Sequence, residues 1–64
     1  MYTEIEMRFL YENDSAVCLS TVDGSKTVFI PKNCINGYVD QSFRRTGLYF
    51  FEIMTCVLKK KKLI

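Results

Sequence analysis

The sequence predicts a small α+β domain: an antiparallel sheet of three to four strands, curled in the manner of an SH3-like half-barrel, with one C-terminal helix over its open side. Three observations carry this. Residues 4–11 alternate apolar and polar side chains, Asp23-Gly24 stands between two β-type runs, and an apolar run at 48–58 ends in four lysines. At 64 residues the chain forms one domain, 1–64. A chain of that size buries roughly 60% of the surface its unfolded form exposes, so its stability is marginal and a partner or second copy would add to it.

The first strand is expected at 4–11. Ile5, Met7, Phe9 and Tyr11 share one face, and Glu4, Glu6, Arg8 and Leu10 the other, the period of a half-buried strand. Asn13-Asp14-Ser15 is a turn signal. The second strand covers 16–22. Asp23-Gly24 then predicts a tight primed hairpin, because glycine tolerates the positive φ that such a turn requires. The third strand, 26–30, closes at Pro31, the only proline, which has no N–H for a ladder. Strands one, two and three form a meander. Residues 32–36 suit a single helical turn ended by Gly37, and the polar stretch 40–46 reads as an exposed loop ending at Gly47.

The run 48–58 fits two periods. Aromatic and β-branched residues favour a strand, whereas Phe50, Ile53, Met54, Val57 and Leu58 recur at helical spacing. The reading adopted is a short strand at 48–51 followed by a helix at about 52–61, with Glu52 in the first turn and lysines in the last, both suited to the helix dipole. This run has eleven residues and contains Glu52, too short for the roughly 20 apolar residues of a membrane span. Neither a basic leader nor an apolar leader core follows Met1, so a cytoplasmic protein without a membrane role is expected.

Chemistry is constrained by what is missing. The chain has no histidine, and its three cysteines, Cys18, Cys34 and Cys56, are odd in number and widely spaced. The usual zinc patterns and a full disulfide framework are excluded, and three reduced, mostly buried thiols are expected. A reactive thiol would lack a histidine base. The glycines are scattered, so no phosphate loop exists. Glu4 and Glu6 share a strand face but read as solvated carboxylates beside Arg8. No catalytic residue, metal or cofactor is assigned, and the chain reads as a non-enzyme.

Charge is divided along the chain. Residues 1–43 hold three basic against six acidic groups, a net of −3; residues 44–64 hold six against one, a net of +5, and together they give the formal +2. Arg44, Arg45, Lys59, Lys60, Lys61 and Lys62 are therefore candidate contacts, with Lys32 beside Pro31. They could meet phosphates, and Tyr38, Phe43 or Tyr49 could stack bases if exposed on the sheet. Nine aromatics exceed what so small a core hides, and aromatics with Arg are the stuff of protein hot spots, which adds Tyr38 and Tyr49 to the partner-binding set.

The segments Ala16-Val17-Cys18-Leu19, Asp23-Gly24, Phe29-Ile30-Pro31-Lys32-Asn33 and 53–64 resemble a recurrent class of small phage and prophage proteins, over a little more than half of the chain. Phe29 stands where that class has tryptophan, Asn33 where it has serine, and Lys61-Lys62 where it often has a glycine. The class has no established activity. The resemblance implies a small antiparallel sheet with a C-terminal helix and a phage-like origin, in the cytoplasm of the host. By analogy of size and origin it suggests a protein that binds and disables host machinery, an anti-defence, anti-CRISPR-like inhibitor. The expected partner is a host protein or protein complex; the alternatives are a weak nucleic-acid binder using the basic C-terminal half and a structural homo-oligomer such as a homodimer.

Overall fold

A computed structural model describes residues 1–43 and 45–64. Strands β1 (Tyr2–Glu12), β2 (Ala16–Ser20), β3 (Thr27–Pro31) and β4 (Gly47–Met54) form one antiparallel sheet in the order β3-β2-β1-β4, and helix α1 (Thr55–Lys60) follows β4 directly. The sheet is open, not closed into a barrel. The meander of the first three strands and the C-terminal helix agree with the sequence. The fourth strand adds to the far side of β1, so β1, the longest strand, is central.

One face of the sheet is the core. Met7 and Phe9 of β1, Val17 and Leu19 of β2, Ile30 of β3, and Phe51 and Ile53 of β4 are buried there together with Ile35 and Leu58. Register explains the set. Phe9 lies opposite Leu19, Val17 opposite Ile30, Met7 opposite Tyr49 and Ile5 opposite Phe51. Burying one large aliphatic side chain contributes on the order of 2 kcal/mol, so a one-residue slip that turned this set to solvent would unfold the domain.

β1 departs from its expected alternation at Leu10. Phe9 pairs with Leu19, but Tyr11 pairs with Cys18, so Leu10 is an extra residue in the ladder. Such a bulge reverses the facing of everything beyond it. Tyr11, expected with Ile5, Met7 and Phe9, instead lies on the opposite face, where it is exposed and meets Phe29 edge-on at 6.1 Å. Glu12 takes the core side.

The connections are set by local polar groups. Asn13 Oδ1 accepts from the N–H groups of Ser15 and Ala16 at 3.0 and 2.8 Å, closing the first turn. The second connection is longer than the primed turn expected from Asp23-Gly24. Thr21 N–H donates to Lys26 O at 2.9 Å, which leaves 22–25 as the loop, and only Gly24 has a positive φ, 77°. A type I′ turn needs positive φ at both central residues. Asp23 supplies the rest, accepting from Thr21 Oγ1, Ser25 N and Ser25 Oγ.

After Pro31, which ends β3, Lys32–Cys34 forms one turn of 3-10 helix. Ile35 bridges to Ile53, and Asn36 N–H donates to Glu52 O at 2.8 Å. The following segment is not an exposed polar loop throughout. It carries Phe43 back onto the core side, with ring centroids 4.5 Å from Tyr49, 5.2 Å from Phe9, 5.3 Å from Phe51 and 5.9 Å from Tyr38. A polar stretch with one aromatic at its centre is a strap with an anchor.

β4 runs three residues beyond its expected end, and α1 begins at Thr55 instead of Glu52. Pairing with the start of β1 decides this: Tyr2, Thr3 and Glu4 lie opposite Met54, Ile53 and Glu52. The helical spacing of Phe50 and Ile53 is thereby overridden, and the two face opposite ways. Thr3 and Thr55 share a hydroxyl hydrogen bond of 2.7 Å at the junction. The helix ends in a Schellman arrangement: Leu63 N–H reaches Leu58 O at 2.9 Å and Lys62 N–H reaches Lys59 O at 3.1 Å. Lys62 occupies the left-handed position, φ 58°, that glycine usually takes.

Candidate functional site

The helix and the strap cover one face of the sheet and leave the other open. Its rows follow from register. Phe29, Cys18 and Tyr11 form one row; Thr27, Ser20, Arg8 and Leu48 the next; then come Glu6 with Phe50, Glu4 with Glu52, and Tyr2 with Met54. Phe50 is 66% exposed and Tyr11 52%, and Phe29, Tyr2 and Leu48 each exceed 40%. Large apolar side chains on a regular, rigid surface are what a binding partner needs in order to gain area without ordering a loop. Cys18 and Ser20, in the middle strand of the same face, are buried beneath their neighbours.

The polar groups of this face are mainly acidic. Glu4 and Glu52 are directly opposite each other, a destabilising like-charge placement for a cross-strand pair. Glu52 is held by Asn36 Nδ2 at 2.8 Å. Desolvation, helped by a hydrogen bond with the Cys18 thiol, raises the Tyr11 phenol above its usual pKa.

A second polar cluster pins the strap. Glu12, turned inward by the bulge, accepts the Tyr38 hydroxyl and the Gln41 N–H, the latter at 3.1 Å, and pairs with Lys32 Nζ at 3.1 Å. Lys32 also meets Asp40 at 3.1 Å. The Tyr38 hydrogen bond, joined by Lys32 and Gln41, holds the Glu12 carboxyl below its ordinary range. Burial, then the adjacent Glu12 carboxylate, raises the Tyr38 phenol well above its own. Partial desolvation opposes the Lys32 charge, but Glu12 and Asp40 outweigh it and its pKa is raised. Beside this cluster lies a shallow groove of about 450 Å³ between Phe9, Tyr11, Glu12, Gln41, Phe43 and Arg45.

The residues singled out from sequence are thus distributed over four places. Lys32 and Tyr38 belong to the pin, and Tyr49 is half-buried against Phe43 with its hydroxyl donating to Arg45 O at 3.3 Å. Tyr38, Tyr49 and Phe43 therefore pack against the core and do not form a stacking platform on the open face. Arg45 lines the groove, and Arg44 lies outside the described residues. Lys59 and Lys60 are exposed at the end of α1, Lys62 is exposed beyond it, and Lys61 is half-buried. Lys26 joins them, its Nζ donating to the carbonyls of Lys61 and Lys62 at 2.8 and 3.2 Å. Tyr11, Phe29, Leu48 and Phe50 were not among the sequence candidates. Strand periodicity through 48–54 would have set Leu48 and Phe50 on the face opposite Phe51 and Ile53, but Tyr11 required knowledge of the bulge.

Of the cysteines, Cys18 is buried, Cys34 half-buried and Cys56 exposed, so the expectation of mostly buried thiols holds for the first alone. No helix among the described residues is long and apolar enough to cross a membrane. Comparison with protein-family models, with curated proteins and with solved structures finds no match.

Proposed function

We propose that this chain is a small non-enzymatic binding protein of phage type that acts stoichiometrically on a host protein, as an anti-defence, anti-CRISPR-like inhibitor in the host cytoplasm. The observation that carries the reading is the open sheet face, where Tyr2, Tyr11, Phe29, Leu48 and Phe50 stand exposed on rigid strands. Acidic groups among them, Glu4, Glu6 and Glu52, favour a partner surface with Lys or Arg around an apolar centre. The test is capture from a host lysate with immobilised wild type, Phe50→Ser, and a variant with Lys59, Lys60, Lys61 and Lys62 changed to Ser, with and without nuclease. A defined protein at fixed stoichiometry is expected to survive nuclease with the wild type and the lysine variant and to be lost with Phe50→Ser.

The second reading is a weak nucleic-acid binder. It is favoured by the gathering of Lys26 with the lysines at 59–62, which concentrates ammonium groups at one corner of the molecule. Binding that disappears with nuclease and falls steeply with salt would establish it and sink the first.

A further inference from the structure

The outer edge of β3 is an unguarded row of main-chain donors and acceptors. Lys32 N–H donates to Ser15 O at 3.0 Å and Thr21 N–H to Lys26 O at 2.9 Å, both between directly opposed residues. Hydrogen-bonded pairs alternate along an antiparallel ladder. Val17 with Ile30 and Leu19 with Val28 are therefore bonded pairs, whereas Thr27, Phe29 and Pro31 turn their main-chain groups away from β2. β3 is the last strand of the sheet and the side chains of these three residues are exposed; among the described residues no turn or loop hydrogen bond uses the main-chain groups of Thr27 or Phe29, while the Pro31 carbonyl already serves the 3-10 turn that Pro31 caps.

Natural edges are usually blunted by lysines, prolines or covering loops. Here the flanking lysines are engaged elsewhere, Lys26 with the carbonyls of Lys61 and Lys62, and Lys32 with Glu12 and Asp40. Pro31 guards only the final slot. The opposite edge, on β4, is treated differently: Ile35 and Asn36 lie along it and occupy the Glu52 carbonyl.

We infer that β3 pairs with β3 of a second copy, antiparallel about a two-fold axis at Phe29, to make one continuous sheet across a homodimer. The register is self-complementary. Each Phe29 N–H meets the Phe29 carbonyl of the other copy, and each Thr27 N–H meets the second lone pair of the other copy's Pro31 carbonyl, whose first serves the 3-10 turn. The N–H that Pro31 lacks falls opposite a Thr27 carbonyl, which stays in water. Charge agrees with this placement. Each end brings Lys26 and the lysine tail of one copy beside the Lys32–Glu12–Asp40 cluster of the other, which holds two carboxylates for one ammonium. The net-negative cluster of each copy then faces the lysine corner of the other, once at each end, as an isologous contact requires. Tyr11 and Phe29 of both copies form a continuous aromatic strip on the open face. This inference stands apart from the host-partner reading and does not depend on it.

The test is mass in solution by light scattering up to millimolar protein, with amide exchange on the same samples. The expected mass rises from 7.5 kDa towards about 15 kDa with concentration, and exchange at the Thr27 and Phe29 amides slows in step. Phe29→Lys and Thr27→Pro are expected to abolish the dimer with an unchanged far-ultraviolet spectrum, since the N–H that Pro removes at 27 is not used by β2. A mass of 7.5 kDa at every concentration overturns the inference. So does a dimer in which Thr27 and Phe29 exchange at the monomer rate, or one that survives both substitutions.

Discussion

Lys62 holds the left-handed position of the helix cap with a Cβ that position disfavours. The strain of a non-glycine residue there is about 1 kcal/mol. Lys62→Gly is expected to stabilise the fold by about that amount in chemical denaturation, because the hydrogen bonds of Leu63 and Lys62 to the helix and of Lys26 to the Lys62 carbonyl use main-chain atoms that glycine keeps. Asp23 shows the opposite case, a side chain whose charge the turn requires. The Ser25 N–H, then the Thr21 and Ser25 hydroxyls, lower its pKa from 3.8 to about 2. A carboxyl depressed on folding stabilises the native state fully above its unfolded value and loses that contribution as pH falls through the folded one. Wild-type stability should therefore decline between about pH 4 and 2, and Asp23→Asn should be less stable at neutral pH but flatter across that window. Urea midpoints at several pH values measure both.

The strap, described over residues 36–43 and 45–46, has a position that depends on one ring and one carboxylate. Phe43 contacts Phe9, Tyr38, Tyr49 and Phe51, and Glu12 fixes Tyr38, Gln41 and, through Lys32, Asp40. Removing a half-buried phenylalanine costs less than the fully buried case, so Phe43→Ala is expected to lower stability by about 2 kcal/mol. The amides of the strap should then exchange faster while those of β2 follow global unfolding, as hydrogen exchange would show. This element was the least legible in the sequence, since composition alone made 40–46 polar and a single Phe gives no period. The strands were legible because alternation and turn residues are local signals. The β4–α1 boundary was not, because the partner that extended β4, the start of β1, lies some fifty residues away in sequence.

At the scale of the molecule the fold divides labour between its two faces. The core face takes Met7, Leu19, Ile30, Ile53 and Leu58, and the open face keeps Phe50, Tyr11 and Phe29 in water. The sheet class and the terminal helix followed from pattern and length, but the candidate surface did not. Tyr11 reaches it only through the extra residue at Leu10, and no periodicity rule announces a bulge. The charged candidates fared differently. Lys32 was visible as a lone cation beside a proline, but its partners, Glu12 and Asp40, converge on it only after folding. Charge runs in a sequence mark where cations are, not which of them the fold occupies.

Three thiols at three depths make this chain its own ruler of opening. Cys56 on α1 is exposed, Cys34 is half-buried after the 3-10 turn, and Cys18 lies beneath Tyr11 and Phe29 at the centre of the sheet. An alkylating reagent under native conditions should modify Cys56 at the rate of a free thiol. Cys34 should follow at the rate of local fraying, and Cys18 only as often as Tyr11 and Phe29 swing aside or the strands part. The ratio of the last rate to the first is then the population in which the Cys18 thiol is uncovered, read by mass spectrometry without labels or substitutions. A Cys18 rate close to that of Cys56 would mean that the Tyr11–Phe29 cover opens readily in the native state.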